Sequence, residues 1–569
     1  MSYRENSANW QWKYFAAPDI PDILESLNGF IEDTLELPDG RTVKGESFQF
    51  APSGMLDMYD IISEKPAIQA RTILTADFVA GESGTFFLGL AGDWRWDLRF
   101  NGIMLLDARV SANSEAPFSP TNHLQEVNYQ AGRNQLVLEL FGGQTLTVAC
   151  KIMENIETLA MRYKPFISFP DAEDNAVSVI FTANRKSPAA VDYRLQGTEE
   201  WTRVYDNLGG QARHDRAVHH IRLSGLKSGS VYEYRAVLLD DCRALKECFF
   251  ETDTFKTAPS KGDFRFTVTA DLQTTSTRRA FLESLIGKNN TFKPDFFAFC
   301  GDLYWTSNYD VSMMDEFIVP YREVTGNHLP LVMVRGNHEI YGKDSNRYFE
   351  YFTAPEPGRE GYYMFRWGEV CFFVLDFCDD APWAPPPSTR QYHDFAPYIA
   401  AEARWLKNAV NLPMCRDAKY RVVLAHGLAV GDSRDYMPKH VHQVIDPVFG
   451  GKNPQVKIHL WLGGHVHRPF RSVPLKNACY SMLPPESFQG GGLRPEGVNY
   501  NFPVVVTGGP TNKLGENMQF TSIDVEVSDE CLTVHSRDRY QKEFDCVTIT
   551  PEGVVSEVSR SEEFCYYEY

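Results

Sequence analysis

The sequence predicts a multidomain protein in which two all-β sandwich domains precede an α/β domain. Three observations predict it. The chain has 569 residues, several times the length of one domain. Short runs with period-two alternation, separated by Gly and Asn turns, fill residues 68 to 258. From 262 onward, apolar strands alternate with helix-length segments. The expected boundaries are 1–165, 166–260 and 261–569. Apolar residues make up 43% of the chain, enough for large cores.

Residues 1 to about 60 are mixed, and Trp10, Trp12 and Tyr14 are expected to pack the start of the chain onto a larger body. The runs ARTILTADFV, GTFFLGLAG, WRWDLRFNGIMLLD, AGRNQLVLELFGG and QTLTVACKI then read as antiparallel strands. Asn101-Gly102 between two such runs is a strong hairpin signal. With its FNG turn and AGRNQLVLEL strand, this region resembles the galactose-binding-like jelly rolls attached to many hydrolases. That resemblance implies packing or cleft shaping, with sugar recognition as the alternative. Residues 166–258 continue with AVSVIFTA, AAVDYRLQG and HHIRLSGLKSGSVYEYRAVLL. The segment LSGLKSGSVYEYRA resembles a fibronectin type III strand pair. TAPSKGD reads as a linker.

The strands FRFTVTA, DFFAFCGD, LPLVMVRGN, YRVVLAHG and KIHLWLGG lack strict alternation, so both faces of their sheets are expected to be buried. STRRAFLESLIG, YDVSMMDEFIVPYREV and AEARWLKNAV are the helix candidates between them. The strands end in Asp, Gly, Asn or His, the pattern of chemistry at carboxyl strand ends. The final 25 residues carry no clear signal.

The totals narrow the function. A net charge of −19 argues against broad contact with nucleic acid or anionic membranes, while leaving room for a local phosphate pocket. No 18-residue apolar run exists, so no membrane span is expected. The start of the sequence has no signal-type apolar region, and a cytoplasmic location is the default expectation. The 11 cysteines include no CxxC pair, and several lie in apolar runs, so buried thiols are expected rather than a disulfide frame.

The polar residues at the strand ends are Asp271, Asp302, Asn337, His338, His426, His465 and His467. Any one of them alone reads as a turn, a helix cap or a satisfied histidine. Together they form a coherent donor set. Carboxylate, imidazole and amide oxygen suit Mn²⁺, Fe²⁺ or Zn²⁺. One carboxylate can bridge two ions about 3.5–4 Å apart that hold a hydroxide and clamp a phosphate. Asp302, central in order, is the natural bridge. A nearby imidazolium can protonate a poor leaving group. His440, His442 and His459 break the strand-end pattern and are expected to be structural or supporting.

The ordered set DLQ, GD, GNHE, H, GHVH resembles the calcineurin-like metallophosphoesterase family over about 262–535. With the fibronectin-like segment before it, the layout also resembles purple acid phosphatases. The resemblance implies two mixed β-sheets flanked by helices. It implies a metal-dependent phosphoric ester hydrolase, in which a hydroxide held by two divalent ions (Mn, Fe or Zn, with Mg as an alternative) attacks phosphorus in line. Asp271, Asp302 and His467 would hold the first ion; Asp302, Asn337, His426 and His465 the second. His338 would stand beside the leaving group, oriented by Glu339. The substrate would be a small phosphorylated molecule. Phosphodiester and pyrophosphate substrates fit the same motifs. A non-catalytic or carbohydrate-recognition protein with a degenerate metal site is the reading from another class.

Two positions depart from the family pattern. Gln273 stands where a metal-binding histidine is usual, so Gln273 is expected either to ligate through its amide oxygen, directly or through water, or only to hydrogen-bond a bound water. Ligation would give a weaker first site tilted toward Mn²⁺, Mg²⁺ or Fe²⁺. Trp305 stands where purple acid phosphatases carry a ligating tyrosine, and Tyr304 falls one residue early. A one-residue shift turns the side chain away. Arg335 and Arg468 flank the motifs and can meet a phosphate or a carboxylate. The proline-rich run 379–397, the segment 428–450 and the glycine-rich run 480–501 are expected to shape substrate access. TGGP at 507–510 is expected to allow close backbone approach.

Overall fold

In the computed structural model, the described residues run from 10 to 568. Outside the description are 63–70, 109–118, 169–174, 241–245, 274–277, 306–308, 353–359, 378–394, 431–436, 485–499, 511–517 and short breaks of one or two residues. Most of the proline-rich run 379–397 and most of the glycine-rich run 480–501 therefore lie outside it. The chain divides into two compact units, 1–160 with 238–248, and 161–237 with 249–569.

The first unit is antiparallel throughout. One sheet orders the strands Glu46–Phe48, Gln11–Ala16, Arg71–Ala80, Gly132–Phe141, Arg95–Phe100 and Ile103–Asp107; the other orders His123–Tyr129, Gly84–Gly92, Thr147–Met153 and Met55–Asp57. Alternate residues of both sheets meet in one core that includes Trp10, Trp12, Leu74, Leu88, Leu138 and Val148. Asn101 and Gly102 turn the Arg95–Asp107 hairpin with φ of 47° and 80°, the left-handed pair that a two-residue hairpin requires.

The second unit contains a ten-stranded and an eight-stranded sheet. Phe264–Thr269, Phe296–Phe299 and Leu331–Met333 lie parallel at the centre of the larger sheet. Strands Ser522–Val527, Leu532–Arg537, Glu543–Ile549 and Val555–Arg560 extend it on one side. On the other side lie Met161–Ser168, Val177–Ala183 and Val218–Leu223. Ser168 pairs in parallel with Leu331, so strands between residues 161 and 223 share a sheet with the strands of the α/β region. The smaller sheet centres on the parallel strands Val370–Leu375, Tyr420–Ala425, Leu460–Gly463 and Val504–Val506. The chain end is not idle: Cys565–Glu568 pairs with Ala478–Ser481 and forms this sheet's edge.

Phenylalanines fill the space between the two sheets. Phe266 stacks on Phe296 at 5.1 Å, Phe296 meets Phe372 edge-on at 5.4 Å, and Phe372 stacks on Phe365 at 4.7 Å. Intervening residues face outward: Phe297 and Phe299 pack under helices Arg278–Ile286 and Val319–Thr325, and Phe373 and Leu375 under Phe395–Ala409 and Met437–Phe449. Burial on both faces explains why these strands read as continuous apolar runs. Each fully buried Phe or Leu contributes about 1.5–3 kcal/mol.

Candidate metal centre

The parallel strands end in register. Thr269 pairs with Phe299, and Phe299 with Met333; in the other sheet Leu375 pairs with Ala425 and Gly463 with Val506. The first polar residues past these ends therefore emerge along common edges. Asp271, Asp302, Asn337 and His426 are all buried, and His465 and His467 are half-buried.

The backbone there is strained. Nine non-glycine residues among those described have positive φ, and four of them are Asp271 (58°), Asp302 (61°), His465 (74°) and His467 (57°). Left-handed backbone costs a non-glycine residue about 1 kcal/mol or more and persists where surrounding contacts enforce it. Close approach also needs the motif glycines. A Cβ on Gly336 would lie 2.4 Å from Asp302 Oδ1, and one on Gly464 2.4 Å from Asp271 Oδ2.

Asp302 lies at the middle of the cluster. Its Oδ2 is 3.2 Å from His426 Nε2, 3.8 Å from His338 Nε2, and accepts from Gln273 Nε2 at 3.0 Å. Its Oδ1 accepts the His338 backbone N–H at 2.9 Å. Asn337 Oδ1 faces His426 Nε2 at 3.0 Å and His465 Nδ1 at 3.1 Å. Asp271 accepts the His465 backbone N–H, and its Oδ1 is 3.4 Å from His467 Nε2. Two groups of side chains thus offer ligand atoms all within 4.8 Å of one another: Asp302, His426 and His465, and Asp271, Asp302 and His467. Asp302 belongs to both.

Carboxylate and imidazole tune each other. Burial pushes Asp302 up, but the adjacent His426 outweighs it and holds the carboxyl well below the usual range. Burial pushes His426 down, yet Asp302 and Asp271 raise it to about 10. His467 is raised against its burial, chiefly by Asp271. Burial, followed by repulsion from Asp302, pushes Glu339 up to about 7.

Gln273 is 2% exposed and its Oε1 has no hydrogen-bond partner. An orphaned buried oxygen among carboxylates and imidazoles is a donor set completed by a cation. The residues therefore fit a hard or borderline divalent metal.

Glu339, expected to orient His338, directs its carboxylate elsewhere. It accepts the backbone N–H groups of Asp302 (2.8 Å), Leu303 (2.9 Å) and Gly336 (2.6 Å), tying two strand-end loops together. His338 is held by backbone instead: its Nδ1 lies 2.8 Å from the Trp305 carbonyl. The Cys300 carbonyl holds His426 Nδ1 in the same way at 2.7 Å, and the Pro510 carbonyl holds His467 Nδ1 at 3.2 Å. Sequence motifs do not display such carbonyls. Asp376, which follows the strand Val370–Leu375, carries the same strand-end signal in the sequence. It is fully buried, pairs with Arg335 at 2.8 Å and accepts from Tyr398 Oη at 2.5 Å. Arg335 thus meets a carboxylate behind the GNHE loop. Tyr304 is buried in the core beneath the helices, while Trp305 is 53% exposed. His442 bonds Tyr500 Oη at 2.8 Å, away from these ligand groups.

A third group, His535, Glu543 and Cys546, also brings ligand atoms together. There Glu543 already pairs with His535 at 2.7 Å, and the Arg537 guanidinium lies 3.8 Å away, so a cation is supplied by the chain itself.

Residues 264–469 match the family model of the calcineurin-like phosphoesterases. No curated protein matches the chain significantly. Among solved structures, a purple acid phosphatase from yellow lupin (Lupinus luteus) seeds is 13% identical, covering 84% of this chain and 93% of its own, with a TM-score of 0.46. A Streptococcus pneumoniae protein described as a predicted phosphoesterase is 12% identical, covering 52% of this chain and 98% of its own, with a TM-score of 0.22. A β-glucuronidase from Bifidobacterium dentium is 11% identical, covering 74% of this chain and 83% of its own, with a TM-score of 0.18. The family match and the clustered ligands, not these distant structures, identify a calcineurin-like metallophosphoesterase domain, a metal-dependent hydrolase, after an all-β region.

Proposed function

We propose that the protein hydrolyses phosphoric esters at a two-metal centre built on Asp302. The observation that carries this reading is the pair of ligand groups that share that one carboxylate. Asp271, His467 and the amide oxygen of Gln273 would complete one position; Asn337, His426 and His465 the other. When bound, the metals lower the pKa of water and offset charge on the phosphoryl oxygens.

The chain's own residues supply the rest. The Cys300, Pro510 and Trp305 carbonyls each accept an Nδ1–H, leaving Nε2 of His426, His467 and His338 to face the carboxylates. His338, the first residue of the 3-10 turn His338–Ile340, can hold a proton at Nε2 and pass it to a departing ester oxygen. Glu339 fixes the spacing of Asp302 and Gly336, and with it the position of His338. The buried strand ends exclude water from one side of the site and leave the His338–Trp305 side open.

The test is hydrolysis of an aryl phosphate monoester and a bis-aryl phosphodiester by the full chain with Mn²⁺. Turnover of either, lost in Asp302→Asn together with bound metal, is the expected result, and the ratio of the two rates separates phosphatase from diesterase. Metal-replete protein that turns over neither ester overturns the proposal. The carbohydrate-recognition reading can draw on a cavity of about 800 Å³ in the first unit, lined by Trp10, Trp12, Phe50 and Lys151 among others. Trp10 and Trp12 are 5% and 7% exposed, and Trp10 stacks on Phe78 at 4.8 Å, which supports packing over sugar recognition.

A further inference from the structure

Trp305 is the residue of the GDLYW run that the metal site leaves unused. Leu303 and Tyr304 enter the core, and the next side chain comes out, 53% exposed. A single exposed aromatic is ordinary on a protein surface. This one is joined to the site in two ways. Its carbonyl holds His338 Nδ1 at 2.8 Å, and its ring meets the His338 ring edge-on, with centroids 5.2 Å apart and planes at 83°. It also lies 6.5 Å from the His467 ring. On the His338 ring, Tyr341 makes a second edge contact at 4.8 Å, but Tyr341 is only 5% exposed. Of these two rings among the described residues, the indole is the exposed one.

We propose that Trp305 is the wall of a leaving-group subsite that selects phosphate esters carrying a flat aromatic group. The inference rests on the phosphoester reading above. His338 Nε2 lies 3.8 Å from Asp302 Oδ2, so an ester oxygen that takes its proton sits at the mouth of the metal cluster. Whatever is attached to that oxygen begins within one ring's width of the indole. An aromatic ring stacked there gains roughly tenfold or more in affinity, the scale of one base–aromatic contact, and an alkyl group gains much less. The ring can be an aryl alcohol joined directly to phosphorus through oxygen, or a nucleobase one sugar away.

Calorimetry on the manganese-loaded full chain tests it with three probes that cannot be hydrolysed: benzylphosphonate, ethylphosphonate and the methylene phosphonate isostere of adenosine monophosphate. Expected is an affinity at least about tenfold higher for one or both aromatic probes than for ethylphosphonate. Trp305→Ala removes that preference, read as the ratio of aromatic-probe to ethylphosphonate affinity within the variant, and Trp305→Phe keeps most of it. The tighter aromatic probe identifies the source of the ring. Equal affinities in the unaltered protein, or a preference that survives Trp305→Ala, overturn the inference. A loss of ethylphosphonate binding in step with the aromatic probes also overturns it, because Trp305 would then act only through His338. If no probe binds while aryl phosphate is still hydrolysed, the subsite fails and the phosphoester reading stands. If neither binding nor hydrolysis occurs, both fail.

Discussion

His426 and His459 are buried histidines at opposite ends of neighbouring parallel strands, and their surroundings drive them in opposite directions. His426 follows the carboxyl end of Tyr420–Ala425, faces Asp302, and is raised to about 10 despite its burial. His459 precedes Leu460–Gly463. Burial lowers it to about 4, helped by Arg421 and Lys457. Its Nδ1 accepts the Arg421 backbone N–H at 3.1 Å and its Nε2 donates to the Pro551 carbonyl at 2.8 Å, so every polar atom of the ring is matched by neutral backbone. The carboxyl edge is different. Charges face charges, backbones are left-handed, and Gln273 Oε1 has no partner. One end of the sheet is built for stability, and the other spends stability on a site.

Breaking the carboxyl edge at its shared residue has the largest expected effect. Asp302→Asn removes the charge common to both ligand groups, so bound metal falls and phosphoester turnover drops about a thousandfold, several kcal/mol at ~1.4 kcal/mol per decade. Metal analysis beside initial rates measures both. The amino edge responds to acid alone. His459 stays neutral in the fold, so its contribution is complete above its ordinary pKa of 6.5 and is lost as pH falls toward 4. That loss is about 3 kcal/mol. Denaturant midpoints at pH 7 and pH 4.5 read it, and His459→Gln flattens the difference while metal content stays unchanged. If His459→Gln removes metal, the two edges are not separate.

His338→Ala separates binding from proton transfer within the carboxyl edge. It is expected to lower kcat roughly a hundredfold with metal content intact, and less for substrates whose leaving group needs no proton. The smallest effect belongs to Gln273→Ala, which weakens Mn²⁺ affinity about tenfold and leaves folding in place. Titration with Mn²⁺ at fixed pH measures it. An unchanged affinity means that the amide only supports Asp302 through its 3.0 Å hydrogen bond.

The sequence alone determined which polar residues stand at the strand ends. An apolar run ending in Asp, Asn or His beside glycine is written in contiguous residues, so Asp271, Asp302, Asn337, His426, His465 and His467 were legible at once. Buried strands were legible too, since runs such as FFAF show that both faces are covered. The tertiary structure decided how those residues meet. His426 is held by the carbonyl of Cys300, 126 residues away, and Asp271 receives the backbone N–H of His465, 194 residues away. It gave Glu339 its three backbone partners and placed strands of 161–237 beside Leu331–Met333. Backbone carbonyls and N–H groups are the same at every residue, so no motif marks the few that hold these histidine rings. Only the packing of the two sheets selects them.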